Sequence, residues 1–173
     1  MRPLTIDRIE TPLAPLWVLA TGRGICSVRF DIGREKTLAE IPASPSRKAL
    51  VPGGPLLRTA ARQILEYLRE ERRAFSVRLD LMGFSVFERL VLKEVRAIPF
   101  GETRTYAHVA GRLRKPRDTR RVRNVLVRNP IPILIPCHRV VGAAGLGHYV
   151  GGRAIKERLI EMERGQMGLG FGG

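Results

Sequence analysis

Cys137 and His138 stand next to each other and could act together as a nucleophile and its base. A cysteine reacts as its thiolate, and an ordinary thiol, with a pKa of about 8.5, is mostly protonated at neutral pH. A histidine can take that proton while a carboxylate orients the histidine, and Glu163 is a candidate for this carboxylate. Adjacent side chains on an extended strand point in opposite directions, so direct contact would need a turn or a bridging water. For an isolated Cys-His pair, a buried structural cysteine is the better interpretation.

Positive charge dominates the composition. The 173 residues include 31 lysines and arginines against 16 acids, which gives a net charge of +15. Such a field attracts polyanions and would give salt-sensitive, largely sequence-independent affinity for DNA. The same charge would suit RNA, a ribosome, an acidic membrane surface or a solvated surface without a partner. Charge therefore indicates a class of partner and not a function.

The composition argues against several other classes. Hydrophobic residues make up 44% of the chain, which is typical of a globular protein. No apolar run approaches the ~20 residues of a membrane helix, and the N-terminus lacks the apolar stretch of a secretory signal. We therefore expect a cytoplasmic protein with no membrane partner. Two cysteines, three histidines and no Cys-x-x-Cys predict free thiols and no structural zinc site.

The N-terminal half has the pattern of a small α/β unit. Two β-prone runs within residues 16–30 flank a Gly-Arg-Gly tripeptide and predict a hairpin. Residues 31–55 are rich in Pro, Gly, Ser and charge, which predicts mostly loop with a short helix near 36–41. An apolar stripe predicts a helix over 56–69, and alternating apolar residues predict a strand over 75–81. The stripe consists of Leu57, Ala60, Ala61, Ile64, Leu65 and Leu68.

From about residue 83 the pattern is helical. An amphipathic helix is predicted over 86–98, ended by Pro99 and Gly101. Thr105 is a good N-cap for a helix over 106–113, and Asp118 for a helix over 119–128. Two short helices across a tight turn, the second rich in arginine, fit a helix-turn-helix, although such pairs are common in helical domains. A last helix is predicted over 154–164.

The segment that carries Cys137 is rich in proline. Residues 129–141 read Asn-Pro-Ile-Pro-Ile-Leu-Ile-Pro-Cys-His-Arg-Val-Val. Proline fixes its own φ and removes a backbone donor, so the apolar run 133–135 is framed by rigid positions. We therefore expect a pinned strand that delivers Cys137 to a defined place.

This segment resembles the active-site region of the O6-alkylguanine-DNA alkyltransferases. Their Pro-Cys-His-Arg-Val hallmark is intact at 136–140, and Tyr-Val-Gly-Gly at 149–152 and Lys-Glu at 156–157 also fit. Upstream, Phe87, Val91, residues 98–103 and residues 105–106 are similar to the family's DNA-binding domain. The strong resemblance covers about residues 83–163. The N-terminal half resembles only the general outline of the family.

The resemblance implies an α+β protein. Residues 1–82 would form a small N-terminal α/β domain of RNase H-like form. Residues 83–164 would form a mostly helical C-terminal domain with the helix-turn-helix and the active-site cysteine. We expect the Gly-rich tail, residues 165–173, to be disordered.

The resemblance also implies a chemistry. An alkyl group, mainly methyl, would pass irreversibly from O6-alkylguanine in double-stranded DNA to Cys137, with O4-alkylthymine as a second candidate lesion. His138 would deprotonate Cys137 through a water, and Glu163 would hold His138. Asn129 would organise the turn after the recognition helix, and Tyr106 would hydrogen-bond the extruded guanine. Each molecule, expected to be a monomer, would act once and without a cofactor.

The same resemblance assigns the pocket and the DNA contacts. The backbone carbonyls of Cys137 and Val140 would accept from the guanine amine, and Tyr149 and Val150 would belong to the loop that closes the pocket. Arg120 would be the arginine finger that fills the gap left by the flipped base. The DNA-binding set consists of Thr119, Arg120, Arg121 and Arg123.

Some positions depart from the family pattern. Arg121, Arg123 and Asn124 stand where Ala or Gly is common, and they could contact phosphates or obstruct docking; we favour phosphate contacts. Val150 stands where a small residue is common, so the pocket is expected to favour methyl over bulkier groups. Leu92 replaces a frequent tryptophan as a conservative core change.

Two other functions remain open. One is a non-catalytic sensor of alkyl lesions, similar to the alkyltransferase-like proteins, which lack the reactive cysteine that is present here as Cys137. The other is a helix-turn-helix regulator of transcription. That function would explain the charge and residues 105–128, but it would leave residues 136–140 unexplained.

Overall fold

A computed structural model describes residues 4–31 and 50–165, and the chain divides into two compact units, Met1–Met82 and Gly83–Gly173. Within these described residues, the first unit holds a four-stranded sheet and one α-helix, and the second holds four α-helices and one pair of two-residue strands. The mixed organisation expected from the sequence, α/β followed by mostly helical, is confirmed. None of the helices in these two described ranges is long and apolar enough to cross a membrane.

The N-terminal sheet has the strand order β3-β2-β1-β4. Its strands are β1 (Leu4–Ile9), β2 (Leu16–Ala20), β3 (Ile25–Phe30) and β4 (Leu50–Pro52). The predicted hairpin is confirmed, because β2 and β3 pair antiparallel and the turn closes through a 2.9 Å bond from Thr21 N to Gly24 O. β1 pairs antiparallel with β2 and parallel with β4.

Two strands of this sheet were not predicted. In β1, buried side chains alternate with more exposed ones, but the strand has only six residues. It is stabilised by pairing with a neighbouring strand on each of its edges. β4 has three residues and ends in a proline, so no local pattern distinguishes it from the loop that the sequence predicts there. The loop prediction is therefore wrong at residues 50–52. The short helix expected near 36–41 lies outside the described residues.

Helix α1 (Pro55–Leu68) covers the predicted range, with proline in its first turn. Its buried face differs slightly from the predicted stripe, because Gln63 and Tyr67 are buried while Ala61 and Leu65 are only partly so. Gln63 tolerates burial because its amide donates to Ser76 Oγ at 2.7 Å and accepts from Ser76 N at 3.0 Å.

The strand predicted over 75–81 is wrong. This segment is extended but pairs only through a single bridge between Leu79 and Ile25. Ile25 N donates to Arg78 O and Asp80 N donates to Ile25 O, both at 2.8 Å, while the amide of Ser76 is taken by a side chain. A regular ladder cannot form where a side chain occupies the backbone donor.

The C-terminal helices follow the prediction within two residues. They are α2 (Val86–Arg96), α3 (Tyr106–Arg112), α4 (Thr119–Val127) and α5 (Arg153–Glu163). Ser85 and Glu88 form a reciprocal capping box on α2, and Thr105 caps α3 by accepting from His108 N. Asp118 precedes α4 but makes no side-chain cap bond, because residues 116–118 form a 3₁₀ turn that places it 3.7 Å from Arg121.

The second unit is built around a buried central segment. Every residue from Asn129 to Val140 is buried, and β5 (Arg104–Thr105) pairs parallel with β6 (Val140–Val141) at its end. Helix α2 contributes Leu92, which is buried as expected of a core position. The gly-rich tail from residue 166 onward lies outside the described residues.

Candidate active site

The segment before Cys137 is a tight turn and not the expected strand. Ile133 has a φ of +72°, and Ile135 N donates to Ile131 O at 2.9 Å. Cys137 itself begins a 3₁₀ turn, Cys137–Arg139. The prolines remove donors that a regular strand would need, and the left-handed Ile133 costs about 1–3 kcal/mol that the surrounding packing must offset. The turn brings the side chains after Cys137 into one buried cluster.

Asn129 connects the end of α4 to the thiol. Its Nδ2 donates to Cys137 Sγ at 3.0 Å and to Ile135 O at 3.1 Å, while its Oδ1 accepts from Ile131 N at 3.1 Å. Asn129 is completely buried, and these three bonds use most of the hydrogen-bonding capacity of its side-chain amide. The amide therefore fixes the turn and directs an N–H at the sulfur.

Glu163, at the end of α5, is the centre of a second buried cluster. Its carboxylate contacts His138 Nε2 at 2.7 Å and accepts from Gly101 N at 2.9 Å. Arg139 donates to both carboxylate oxygens, with N···O distances of 2.8–3.1 Å, and its remaining nitrogen donates to Ile98 O at 2.6 Å. The carboxylate thus orients the histidine while a buried guanidinium balances its charge.

The protonation states follow from burial and these bonds. Burial alone would raise the pKa of Glu163, but hydrogen bonds from His138 and Arg139 outweigh it and hold the value at about 2. Burial lowers the pKa of His138 below its ordinary value, against the attraction of Glu163. The carboxylate is therefore ionised and the imidazole neutral at pH 7, which is the form of a histidine that can accept a proton.

Burial also raises the pKa of the Cys137 thiol, to about 11, and two neighbours oppose that rise. One is the N–H of Asn129, and the other is the positive charge of Lys156. A resting thiol surrounded by groups that favour its thiolate can be activated when a base removes the proton.

Tyr106 and the loop before α5 line the same region. Tyr106 is buried, which raises its pKa, and its hydroxyl accepts from the backbone of His148. Gly147, at φ +70°, leaves room for this contact, because a Cβ there would lie 2.9 Å from the Tyr106 hydroxyl oxygen. Tyr149 is buried with its ring edge-on to His138 at 6.2 Å, and Val150 is half-buried.

Models of one protein family match both halves of the chain. The ribonuclease-like domain of 6-O-methylguanine DNA methyltransferase matches residues 6–81, and the DNA binding domain of the same family matches residues 86–165. The chain belongs to the 6-O-methylguanine DNA methyltransferase family. The resemblance seen in the C-terminal half is confirmed, and the match extends over the N-terminal half.

Relatives and solved structures agree with this family. The methylated-DNA–protein-cysteine methyltransferase of Methanosarcina acetivorans is 37% identical over 89% of this chain and 94% of its own length. The crystal structure of Mycobacterium tuberculosis O6-methylguanine methyltransferase superimposes with a TM-score of 0.78 at 33% identity, covering 96% of each chain. A structure of the M. tuberculosis protein in complex with DNA superimposes with a TM-score of 0.79 at 32% identity, covering 94% of each chain.

The proposed DNA-binding residues of this methyltransferase family member are not all alike. Arg120 and Arg123 are exposed on α4, and Thr119 is half-buried with its hydroxyl donating to Pro116 O at 3.2 Å. Arg121 instead lies over the ring of Phe87, 3.9 Å from its centroid. This contact joins α4 to α2, while the Arg121 side chain stays 59% exposed.

Two buried charged residues of the methyltransferase site received no role from the sequence. Arg139 lies within the Pro-Cys-His-Arg-Val hallmark, and Lys156 lies within a segment that resembles the family. Both are buried, and no local pattern predicts burial of a charge. The available signal was position alone: each stands in a matching motif, close in sequence to a proposed functional residue.

Proposed function

We propose that this protein repairs DNA by moving an alkyl group, mainly methyl, from O6 of guanine to Cys137, once per molecule. The observation that carries the proposal is the buried thiol that accepts from Asn129 beside a neutral His138 held by Glu163. This arrangement lies in a chain whose relatives are named methylated-DNA–protein-cysteine methyltransferases.

The transfer is a displacement at the alkyl carbon. His138 takes the proton of Cys137 through a water, and the sulfur then forms a bond to the alkyl carbon. The bond from that carbon to O6 breaks, and its electron pair leaves with the guanine. The proton that His138 took from the thiol returns through the water to the guanine anion, so His138 ends neutral and the products are a thioether and an unmodified base.

Tyr106 and Arg139 support this step in different ways. The Tyr106 hydroxyl would hydrogen-bond the guanine as negative charge develops on the leaving group. Arg139 would keep Glu163 compensated, so that the carboxylate orients His138 without driving it to the protonated form. A histidine that was already protonated could not serve as the base.

Recognition would use the helix-turn-helix of α3 and α4, with the N-terminal unit having an RNase H-like form. Arg120 would fill the duplex as the damaged base flips into the pocket, and Arg123 would contact phosphates. Val140, Tyr149 and Val150 would contact the base. We expect the protein to work as a monomer inside the cell.

The test is to incubate the protein with duplex DNA containing O6-methylguanine and then determine the masses of the protein and its peptides. We expect one added methyl group on Cys137, absent in Cys137→Ala and retained in the matched control Cys26→Ala. Specific binding to the lesion without a mass change would support a lesion sensor and contradict the proposal. Binding that does not depend on the lesion, again without a mass change, would support a regulator.

A further inference from the structure

The turn that follows α2 meets the buried charges of the active site at two main-chain atoms. Ile98 O accepts from Arg139 Nη1 at 2.6 Å, and Gly101 N donates to Glu163 Oε2 at 2.9 Å. Both members of the ion pair between Arg139 and Glu163 are therefore bonded to the same short piece of backbone. Side chains can change rotamer, whereas a backbone atom in a closed turn has a fixed position.

Gly101 occupies the position of this turn that allows the contact. Glu102 N donates to Pro99 O at 3.2 Å, which closes a four-residue turn, and Gly101 has a φ of +80°. A positive φ at the third position is typical of a type II turn, and glycine adopts it without steric cost. A Cβ at Gly101 would lie 3.0 Å from the carbonyl oxygen of Glu163. The turn explains the positive φ, and the close approach to the end of α5 explains why no side chain fits there.

The carboxylate of Glu163 has a different partner on each of its oxygens. Oε1 lies 2.7 Å from His138 Nε2, whereas Oε2 accepts from Gly101 N. Arg139 donates to both oxygens, so the guanidinium and the carboxylate could tilt together as a pair. The N–H of Gly101 belongs to the main chain and holds the carboxylate against such a movement.

The orientation of this carboxylate decides which nitrogen of His138 can act as a base. An ionised carboxylate only accepts hydrogen bonds, so a neutral imidazole beside it carries its proton on Nε2. That tautomer leaves Nδ1 as the acceptor. With the carboxylate displaced, the imidazole could carry its proton on either nitrogen, and the fraction with an accepting Nδ1 would fall.

We propose that Gly101 is a positioning residue of the alkyl transfer, whose N–H holds the Glu163 carboxylate so that His138 keeps a proton on Nε2 and receives the proton of Cys137 on Nδ1. The N–H of Gly101 stays bonded throughout and takes no part in the proton balance. This inference rests on the proposed function, since it concerns the same histidine.

The direct test removes the N–H without adding a side chain. Glycolic acid in place of Gly101, introduced by cell-free translation with a chemically acylated suppressor tRNA, changes the amide to an ester and keeps the bond from Glu102 N to Pro99 O. The matched control is the same replacement at Gly53, which has a φ of +74° and donates its N–H to Ile6 O at 3.1 Å. Each ester loses one backbone hydrogen bond, so urea should unfold both at similarly lowered concentrations.

The tautomer of His138 is the first readout, because a purely structural role would not change it. It is measured at neutral pH on the resting protein, without DNA, by nitrogen NMR of isotope-labelled histidine. The other two histidines of the chain, His108 and His148, are exposed. We expect the Nε2–H form alone in the unaltered protein and in the Gly53 ester, and a mixture of tautomers in the Gly101 ester.

Single-turnover transfer from duplex DNA containing O6-methylguanine gives the second readout. The Gly101 ester should transfer about tenfold more slowly, as for the loss of groups that orient metal-bound histidines, and the Gly53 ester should stay within about twofold of the unaltered protein. Gly101→Ala should be slower still, because its Cβ also displaces Glu163. Gly53→Ala should not be, because nothing lies within 4 Å of a Cβ there.

The outcomes separate the two proposals. A Gly101 ester that keeps the Nε2–H form alone, or that transfers methyl as fast as the Gly53 ester, would overturn this inference. A Gly101 ester that does not fold would also overturn it, since the N–H would then serve the structure. If the unaltered protein takes no methyl group from the DNA, the proposed function is wrong, and the tautomers of the resting protein still show whether Gly101 holds the carboxylate.

Discussion

The two cysteines have thiols of similar pKa in opposite surroundings. Burial raises the pKa of Cys26 and of Cys137 to about 11 in each case. Around Cys26, the charge of Asp80 raises the pKa further, and the sulfur lies 3.5 Å from the carbonyl oxygen of Leu19, which can only accept. Around Cys137, an amide N–H and an ammonium charge both favour the thiolate.

This difference shows that burial does not distinguish a reactive cysteine from a structural one. Cys26 is set against the apolar cluster of Leu4, Ile6 and Leu19, and the repulsion of its thiolate by Asp80 exceeds the attraction by Arg23. Cys137 is just as costly to ionise at rest, but the groups that would stabilise its anion are already in place. The donors directed at the sulfur, and not its pKa at rest, predict which thiol reacts.

The largest expected effect comes from removing the donor directed at Cys137. Asn129→Ala deletes the N–H on the sulfur and the bonds to Ile131 and Ile135. We expect transfer to slow by about 100-fold or more, as for loss of one donor to a developing anion. The measurement is the single-turnover rate with duplex DNA containing O6-methylguanine.

The control for this variant is Glu161→Ala, which removes an exposed polar side chain from α5. It should leave the transfer rate within about twofold of the unaltered protein, because exposed substitutions rarely propagate. If Asn129→Ala transferred methyl as fast as this control, the N–H directed at Cys137 would not explain why this thiol reacts and that of Cys26 does not.

The second effect concerns stability against pH. The pKa of Glu163 is lowered from 4.5 to about 2 in the folded state, so its carboxylate stabilises the fold fully above its unfolded pKa. That contribution, about 3 kcal/mol, is lost as the pH falls through the folded value of about 2. Glu163→Gln should therefore lower the free energy of unfolding by about 3 kcal/mol at neutral pH.

Urea unfolding at several pH values measures this prediction. The gap between the unaltered protein and Glu163→Gln should narrow steadily as the pH falls below about 5. Asp80→Asn, near Cys26, is the comparison, because its carboxylate also has a lowered pKa but its ion-pair partner Arg23 is 61% exposed. A gap for Glu163→Gln that stays constant down to acid pH would contradict the ionised carboxylate.

Sequence patterns predicted the hairpin and all the helices of the described chain because each has a local cause. The capping residues Ser85 and Thr105 and the apolar stripe of α1 act over a few positions. β1 and β4 were missed because their stability comes from pairing between distant segments. The turn before Cys137 was predicted as a strand because the left-handed backbone of Ile133 is imposed by packing. A β-branched residue rarely adopts this conformation, so the sequence does not indicate it.

The site was predictable in part for the same reason. The motif and its resemblance named Cys137, His138, Asn129 and Glu163, and these side chains form two hydrogen-bonded pairs, Asn129 with Cys137 and His138 with Glu163. Neither the burial of Lys156 nor the three bonds from Arg139 to Glu163 follows from a local pattern. Both depend on how α5 packs against a turn some twenty residues away in sequence, a tertiary contact that only the fold reveals.

A smaller effect separates two arginines that the sequence treats alike. Both are exposed on α4, but only Arg121 of these two lies on the ring of Phe87. Arg120→Ala should slow repair of duplex DNA by about tenfold or more while leaving the reaction of Cys137 with free O6-benzylguanine nearly unchanged. Arg121→Ala should mainly cost about 0.5–1 kcal/mol of stability through the lost ring contact. Equal slowing of both reactions by Arg120→Ala would argue against a role in the duplex.

The smallest effect concerns access to the thiol, the last respect in which Cys137 differs from Cys26. Val150 is half-buried in the loop that contains Tyr149, and a branched side chain there would narrow the opening to a bulky alkyl group. O6-methylguanine in DNA should therefore react faster than O6-benzylguanine in DNA. Val150→Ala should speed the benzyl reaction several-fold, within the roughly 10-fold worth of one methylene in a pocket, and leave methyl transfer unchanged. Both rates come from single-turnover reactions on the same duplex. If Val150→Ala changed the two rates by the same factor, the side chain would act on the thiol and its surroundings and not on the size of group admitted.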